Sequence, residues 1–336
     1  MDRRNFLKTA VGSSLALGTG SVQARPNHEP PPEAIGMLYD STLCIGCQAC
    51  VYKCQEVNQL DTNPQADTFS VNSKLSIYTH NIIQVWEDGT GSEKDQLDNG
   101  YAYTKRQCMH CIDPDCVSAC PVSAMTKDPI TGIVSYDKKY CVACRYCMVA
   151  CPYNVPQYEY DDIYGQIQKC QFCNQKGVER IDKGLLPGCV EVCPTGAVIY
   201  GKRDQLLAEA KKRIASKPGQ EYDYPRATLE SEDYQTKTAA VYQDYIFGEF
   251  DGGGTQSLVI SGVPYQKLGL PTLDTRAVGA RAETMQHGIY TGMLLPIALF
   301  GGFILRTRSN IKKQDQQAKE QHQQIDTTNT TNKEED

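Results

Sequence analysis

Sixteen cysteines carry the chemistry that this sequence could do, and all of them lie between Cys44 and Cys193. They fall into four groups. Cys44, Cys47, Cys50 and Cys54 are spaced C-x2-C-x2-C-x3-C, and Cys141, Cys144, Cys147 and Cys151 repeat that spacing and add Pro152. Cys108, Cys111, Cys116 and Cys120 run C-x2-C-x4-C-x3-C before Pro121, and Cys170, Cys173, Cys189 and Cys193 form two separated pairs before Pro194. Thiolates are metal ligands. Three of them in one tight loop suit a cubane of iron and sulfide, whose corners must be reached from one side at once. Two intervening residues let the chain turn around a corner while backbone N–H groups point at the sulfurs. A Pro after the last Cys stops that turn where no backbone donor is needed.

Other uses of cysteine compete. Structural zinc takes paired C-x2-C knuckles, for which the fourth group alone could pass; it leaves unexplained a third Cys at the same close spacing in separate loops. Eight disulfides satisfy parity, but C-x2-C-x2-C loops bridge poorly within themselves. A chain of 336 residues also has no need to compensate for a small core. A thioredoxin-like motif needs one exposed pair. Iron–sulfur chemistry is the reading that uses every cysteine, and no C-x2-C-H points to covalent haem.

The first and third groups have the spacing of bacterial ferredoxins with 4Fe–4S clusters, in which the fourth Cys ligates the other cluster of a pair. Cys120 and Cys141 are close in sequence, so the second and third groups should form one module, inserted between the halves of another made by the first and fourth. The ferredoxin rule then assigns Cys44, Cys47, Cys50 and Cys193 to one cluster and Cys54, Cys170, Cys173 and Cys189 to its partner. It assigns Cys108, Cys111, Cys116 and Cys151 to a third, and Cys120, Cys141, Cys144 and Cys147 to a fourth. VSACPVSA at 117–124 is echoed by VEVCPTGA at 190–197, which supports the pairing. The expected fold is α+β: two nested bacterial-ferredoxin-like modules holding four 4Fe–4S clusters, plus one C-terminal transmembrane helix.

Several elements must position these groups. Residues 133–136 read as a strand behind a DPITG turn, and 81–86 (NIIQVW) with 101–104 as a hairpin leading into Cys108. Residues 204–215 read as an amphipathic helix with Leu207, Ala210 and Ile214 on one face and Asp204 as N-cap. His110, inside the second group, is expected to be a polar filler beside a cluster rather than a proton carrier, and Trp86 to be packing rather than a relay. The glycines at 252–254 lack a following Lys-Ser/Thr and read as a flexible turn rather than a phosphate cradle. The Tyr-rich stretch 222–250 fits an interface or ordinary packing equally.

Both ends look like address labels. Arg3 and Arg4, followed by FLK, a weakly apolar run and VQA at 22–24, resemble a twin-arginine export signal, with Asp2 where Ser or Thr is usual. A general secretory signal is the alternative. The twin-arginine route exports folded cargo, so a cofactor could be inserted in a reducing compartment first. Residues 288–305 carry no charge and just suffice for a hydrocarbon core about 30 Å thick; the alternative is a buried helix. Pro296 and the glycines at 301–302 are tolerated in a span. Arg306, Arg308, Lys312 and Lys313 then place the tail in the cytoplasm and everything upstream outside. The expected divisions are a signal at 1–24, the first half of an outer module with its hairpin at 25–107, an inner two-cluster module at 108–169, the second half of the outer module at 170–287, the span, and a disordered cytoplasmic tail at 306–336. A net charge of -6 argues against a nucleic-acid binder, and 40% hydrophobic residues exclude a long disordered chain. No nucleophile is paired with a base and no nucleotide loop occurs, so no catalytic residue is assigned.

RRNFLK at 3–8, GMLYDSTLCIGCQAC at 36–50, NIIQVW at 81–86, RYCMVACPYNVP at 145–156 and CNQKGVERIDKG at 173–184, with the C-terminal anchor, carry a specific resemblance. The chain resembles the iron–sulfur electron-transfer subunits of membrane respiratory oxidoreductases, and within them the HybA-type subunits of the periplasmic nickel–iron uptake hydrogenase (second isoenzyme). Gln55 departs from the pattern, standing where a ferredoxin has Pro. The resemblance implies a non-catalytic subunit on the periplasmic side of the inner membrane. It would pass electrons through four 4Fe–4S clusters between a hydrogenase small subunit, itself bound to a large subunit, and an integral membrane subunit that meets quinone. The equivalent subunit of a formate dehydrogenase is the alternative.

Overall fold

The computed structural model describes residues 25–62, 70, 73–162 and 164–331; the export signal expected at 1–24, with Arg3 and Arg4, lies outside them. Pro26–Arg281 forms one compact unit, and the chain from Ala282 onward belongs to another. The first unit contains strands β1 (Ile35–Asp40), β2 (Asn81–Glu87), β3 (Glu93–Lys94), β4 (Gly100–Gln107), β5 (Met125–Lys127), β6 (Val134–Tyr136), β7 (Gln157–Tyr158) and β8 (Ile167–Gln168). It continues with β9 (Val198–Lys202), β10 (Glu221–Pro225), β11 (Ala227–Thr228), β12 (Tyr234–Thr238) and β13 (Ser257–Ile260). The helices are α1 (Ala49–Asn58), α2 (Asp115–Ser118), α3 (Tyr146–Ala150), α4 (Gly188–Glu191), α5 (Arg203–Ala215) and α6 (Val278–Thr331).

The largest sheet has the order β11-β9-β1-β13, with β1 antiparallel to β9 and parallel to β13. As a central strand covered on both faces, β1 reads IGMLYD and is buried along nearly its whole length. Gly36 is required there, because a Cβ would sit 2.2 Å from the Gln256 carbonyl oxygen. Helix α5 covers the sheet by packing Leu206 and Ala210 on Leu38, Ile199, Leu258 and Ile260. Its buried face is therefore Leu206, Ala210 and Arg213, one step round from the expected Leu207, Ala210 and Ile214, of which Leu207 and Ile214 are only partly buried. Arg213 shifts the face: it is fully buried and paired with Asp40 at 3.1 Å and Glu209 at 2.8 Å, so a charge occupies a position that apolar periodicity passes over. Asp204 is not the N-cap. That position is Lys202, without a side-chain cap, and Asp204 accepts the Gln205 N–H at 2.8 Å.

The hairpin expected before Cys108 is the antiparallel pair β2–β4, in register from Asn81↔Gln107 to Glu87↔Tyr101. The strand expected after the DPITG turn is β6, paired with β5. The glycines at 252–254 end a short 3-10 turn, Asp251–Gly253. Tyr224 and Tyr242, from the Tyr-rich stretch, pack inward around Asp40, and the Tyr242 hydroxyl donates to the Asp40 carboxylate at 2.9 Å.

Helix α6 contains Val278–Glu320, among the described residues the one helical stretch that by length and composition is long and apolar enough to cross a membrane. The helix continues through residues 306–331, where the sequence reading expects no regular structure. No Gly or Pro follows Gly302, and Gln, Lys, Ala and Glu all favour helix.

Candidate metal centres

Each of the four cysteine groups begins with a C-x2-C turn built the same way. The second residue after the first Cys takes left-handed backbone angles in every one: Gly46 (φ 69°), His110 (φ 48°), Ala143 (φ 58°) and Phe172 (φ 53°). Only Gly adopts this conformation without cost, so three side chains are held there against their preference, as happens at functional sites. In the two C-x2-C-x2-C loops the fifth residue, Gln48 or Arg145, is left-handed as well and leads into α1 or α3. Cys50 and Cys54 then lie one turn apart on α1.

No disulfide joins any of the sixteen thiols. The folded chain brings them together in groups that cut across the sequence quartets. One pocket is lined by Cys44, Cys47, Cys50 and Cys193. A second is lined by Cys54, Cys170, Cys173 and Cys189, and a third by Cys120, Cys141, Cys144 and Cys147. Around Cys111, burial and then the neighbouring Cys116, Cys108 and Cys151 push the thiol well above its ordinary range. Burial is the first cause of the raised values throughout, bringing Cys147 to about 11 and Cys54 and Cys116 to about 12. Free of metal, the thiols so raised are neutral at pH 7, so loading must displace their protons.

The residues fit iron–sulfur cubanes. Zinc ligands about 2.3 Å from one ion crowd together, whereas no three His, Cys, Asp or Glu among the described residues converge closely enough to hold a single ion. Donors surround the sulfurs. Asn58 Nδ2 lies 3.4 Å from Cys54 Sγ and 3.7 Å from Cys173 Sγ, the Met125 N–H 3.5 Å from Cys120 Sγ, and the Ala143 N–H 3.4 Å from Cys141 Sγ. His110 supplies a further donor. Its Nδ1 accepts the Val134 N–H at 3.0 Å, which puts the ring proton on Nε2, and Nε2 is buried without a partner among the described residues. Burial, and then Lys169 and Lys127, hold the ring neutral. The expected polar filler is thus an aimed donor lacking an acceptor. A cluster sulfide would be one.

Sequence reasoning missed two tyrosines. Tyr39 lines the Cys44 pocket and Tyr136 the Cys141 pocket, their hydroxyls donating to the Tyr103 carbonyl at 2.9 Å and to Gln166 Oε1 at 2.6 Å. Each stands five residues before the first Cys of a C-x2-C-x2-C loop, an offset legible once the two loops are aligned. It also missed a contact between the second and fourth cysteine groups: the His110 and Phe172 rings stack with centroids 3.8 Å apart and planes at 13°. Trp86 does pack, with Lys267 over its ring at 5.4 Å.

Comparison with known proteins agrees with this chemistry. Residues 100–203 match the 4Fe-4S dicluster domain model. Over 327 residues the chain is 58% identical to the hydrogenase-2 operon protein HybA of Escherichia coli O157:H7, covering 96% of this chain and 100% of that protein. The chain belongs to the HybA family. Its Shigella flexneri member matches equally, and the formate dehydrogenase-O iron-sulfur subunit of Escherichia coli K12 is a more distant relative, 32% identical over 209 residues, 61% of this chain and 65% of that subunit. The dicluster match and the sixteen free cysteines together support 4Fe–4S clusters in this chain.

Proposed function

We propose that the chain is a non-catalytic electron-transfer subunit of a membrane-bound hydrogenase complex, its sixteen cysteines holding four 4Fe–4S clusters in a row. A 4Fe–4S cluster takes up and returns one electron without changing its ligands. The chain supplies spacing, burial and hydrogen bonds. The observation that carries the reading is the spatial order of the sulfur groups. Cys50 of the set with Cys44 neighbours Cys189 of the set with Cys54, Cys170 of that set neighbours Cys108 of the set with Cys111, and Cys116 of the latter neighbours Cys147 of the set with Cys141. That makes a line with exposed Cys47 at one end and exposed Cys144 at the other.

The ligand sets are those of the ferredoxin rule: Cys44, Cys47, Cys50 and Cys193; Cys54, Cys170, Cys173 and Cys189; Cys108, Cys111, Cys116 and Cys151; Cys120, Cys141, Cys144 and Cys147. Exposed Tyr140, Val142, Tyr146 and Val149 surround the Cys144 end, as a surface that meets a protein partner should. The partners in this reading are the hydrogenase small and large subunits and a quinone-reactive membrane subunit. The body lies on the periplasmic side of the inner membrane after twin-arginine export, anchored through α6. The nested modules keep the boundaries given above.

The similarity to a hydrogenase-2 operon protein over the whole chain favours hydrogenase, while the formate dehydrogenase relatives align over less of it. Native complex captured through a tag after Asp336 should reduce a dye with hydrogen and contain nickel. Reduction with formate and not with hydrogen would assign the chain to a formate dehydrogenase.

A further inference from the structure

Strands β2 and β4 lie across both sulfur groups of the outer module. Their paired residues Asn81 and Gln107 line the pocket of Cys54, Cys170, Cys173 and Cys189. Two residues along, hence on the same face, Ile83 pairs with Lys105, and Ile83 lines the pocket of Cys44, Cys47, Cys50 and Cys193. Lys105 therefore stands between the two. It is 4% exposed, and lysines are almost never so buried unless paired.

Its pairing is unusual. An ammonium has three donors, and Lys105 Nζ uses one on Gln107 Oε1 at 2.5 Å. Burial works against its charge, and the sulfurs of Cys189, Cys50, Cys170 and Cys54, once deprotonated as cluster ligands, would work for it. Two other lysines near the cysteines, buried Lys169 and half-buried Lys127, are engaged differently. Lys169 Nζ donates to the carbonyls of Val134 (2.5 Å) and Cys170 (3.1 Å), and Lys127 Nζ to those of Cys111 and Gly132 and to Gln256 Oε1, all at 2.9 Å. Carbonyl dipoles absorb those charges. For Lys105, the groups that would carry the opposite charge once they bind a cluster are cysteine sulfurs from both outer groups.

We propose that Lys105 is the counter-charge shared by the two outer clusters, raising the reduction potential of both. The proposal rests on the electron-transfer reading above and adds to it which residue tunes which pair. A fixed positive charge favours the state with one more electron, so each outer cluster is easier to reduce with Lys105 than without it, and the inner pair is untouched.

The test is a redox titration of the complete complex, followed by low-temperature electron paramagnetic resonance, for the unsubstituted chain, Lys105→Met and Lys105→Arg. The outer signals are assigned by their loss in Cys54→Ala and Cys193→Ala. In Lys105→Met both outer clusters should become about tenfold harder to reduce, a downward shift of about 59 mV for one electron, with the inner two unmoved. Lys105→Arg should restore both to within about threefold. An unshifted outer pair, or an equal shift of all four signals, overturns the proposal. If Lys105→Met loses iron, Lys105→Arg decides: full iron with unshifted signals upholds the counter-charge, and the same loss overturns it. Absence of any reducible signal in the unsubstituted chain is a separate result, which removes the electron-transfer reading itself.

Discussion

The loops that begin at Cys44 and Cys141 share spacing, left-handed positions and an upstream tyrosine in the same pocket as the first cysteine, yet their surroundings differ. The first is roofed by the β2–β4 hairpin: Tyr103 packs on Gly46 so closely that a Cβ there would lie 2.4 Å from its ring, and Lys105 stands behind. Cys44, Cys50 and Cys54 are buried. The second loop has no such roof. Cys141 and Cys151 are only partly covered and Val149 is 88% exposed. Spacing thus fixes how the chain wraps a cluster, while inserted structure fixes how dry it is and what charge it feels. Burial and hydrogen bonding to sulfur are what set 4Fe–4S potentials, so one motif can yield two different electron carriers.

The largest expected effect separates the groups themselves. Cys54→Ala should remove the signal of the cluster bound through Cys170, Cys173 and Cys189 and about four iron atoms per chain, sparing that of Cys44, Cys47 and Cys50. Iron analysis with electron paramagnetic resonance checks it, and loss of the Cys44 signal instead would mean that fourth ligands are not exchanged. Next, Phe172→Ala should cost about 3–5 kcal/mol in denaturant unfolding, because the ring is fully buried and stacked on His110; a loss under about 1 kcal/mol would show that the two cysteine groups do not depend on that contact.

The hairpin roof also predicts a pH response. Burial lowers the His80 pKa to about 4, below its ordinary value, so between about pH 6.5 and 4 the unfolded chain binds the extra proton and the folded one does not. Stability should therefore rise with pH across that window and fall on acidification, by at most about 3 kcal/mol. His80→Gln should flatten the part of the unfolding-versus-pH curve that belongs to this residue, and an unchanged curve would discount it.

The smallest effects invert between the two loops. Ala143→Gly should stabilise by about 1 kcal/mol by relieving a left-handed alanine. Gly46→Ala should destabilise by more than that, since the same strain is joined by the Tyr103 clash. Melting both variants tests whether the two turns are conformational equivalents.

Much of the site is legible in the sequence because thiol spacing is itself geometry: the C-x2-C turns and the strands expected at 81–86 and 133–136 follow local rules. What escapes is tertiary. The buried face of α5 is displaced by the Arg213–Asp40 pair, which unites residues far apart in sequence. Lys105 reads as an ordinary strand lysine until β2 and β4 are laid across both outer groups. The His110–Phe172 stack joins second positions of two loops whose likeness is conformational, since His and Phe share no pattern with Gly46 and Ala143.

The most direct test is the metal content of the anaerobically purified full chain, read by iron and acid-labile sulfide analysis with visible spectra before and after dithionite. Sixteen cysteines arranged as four ligand sets predict about sixteen iron per chain and a brown absorbance that dithionite bleaches. Stoichiometric zinc in a colourless protein, or about half that iron, would contradict the account.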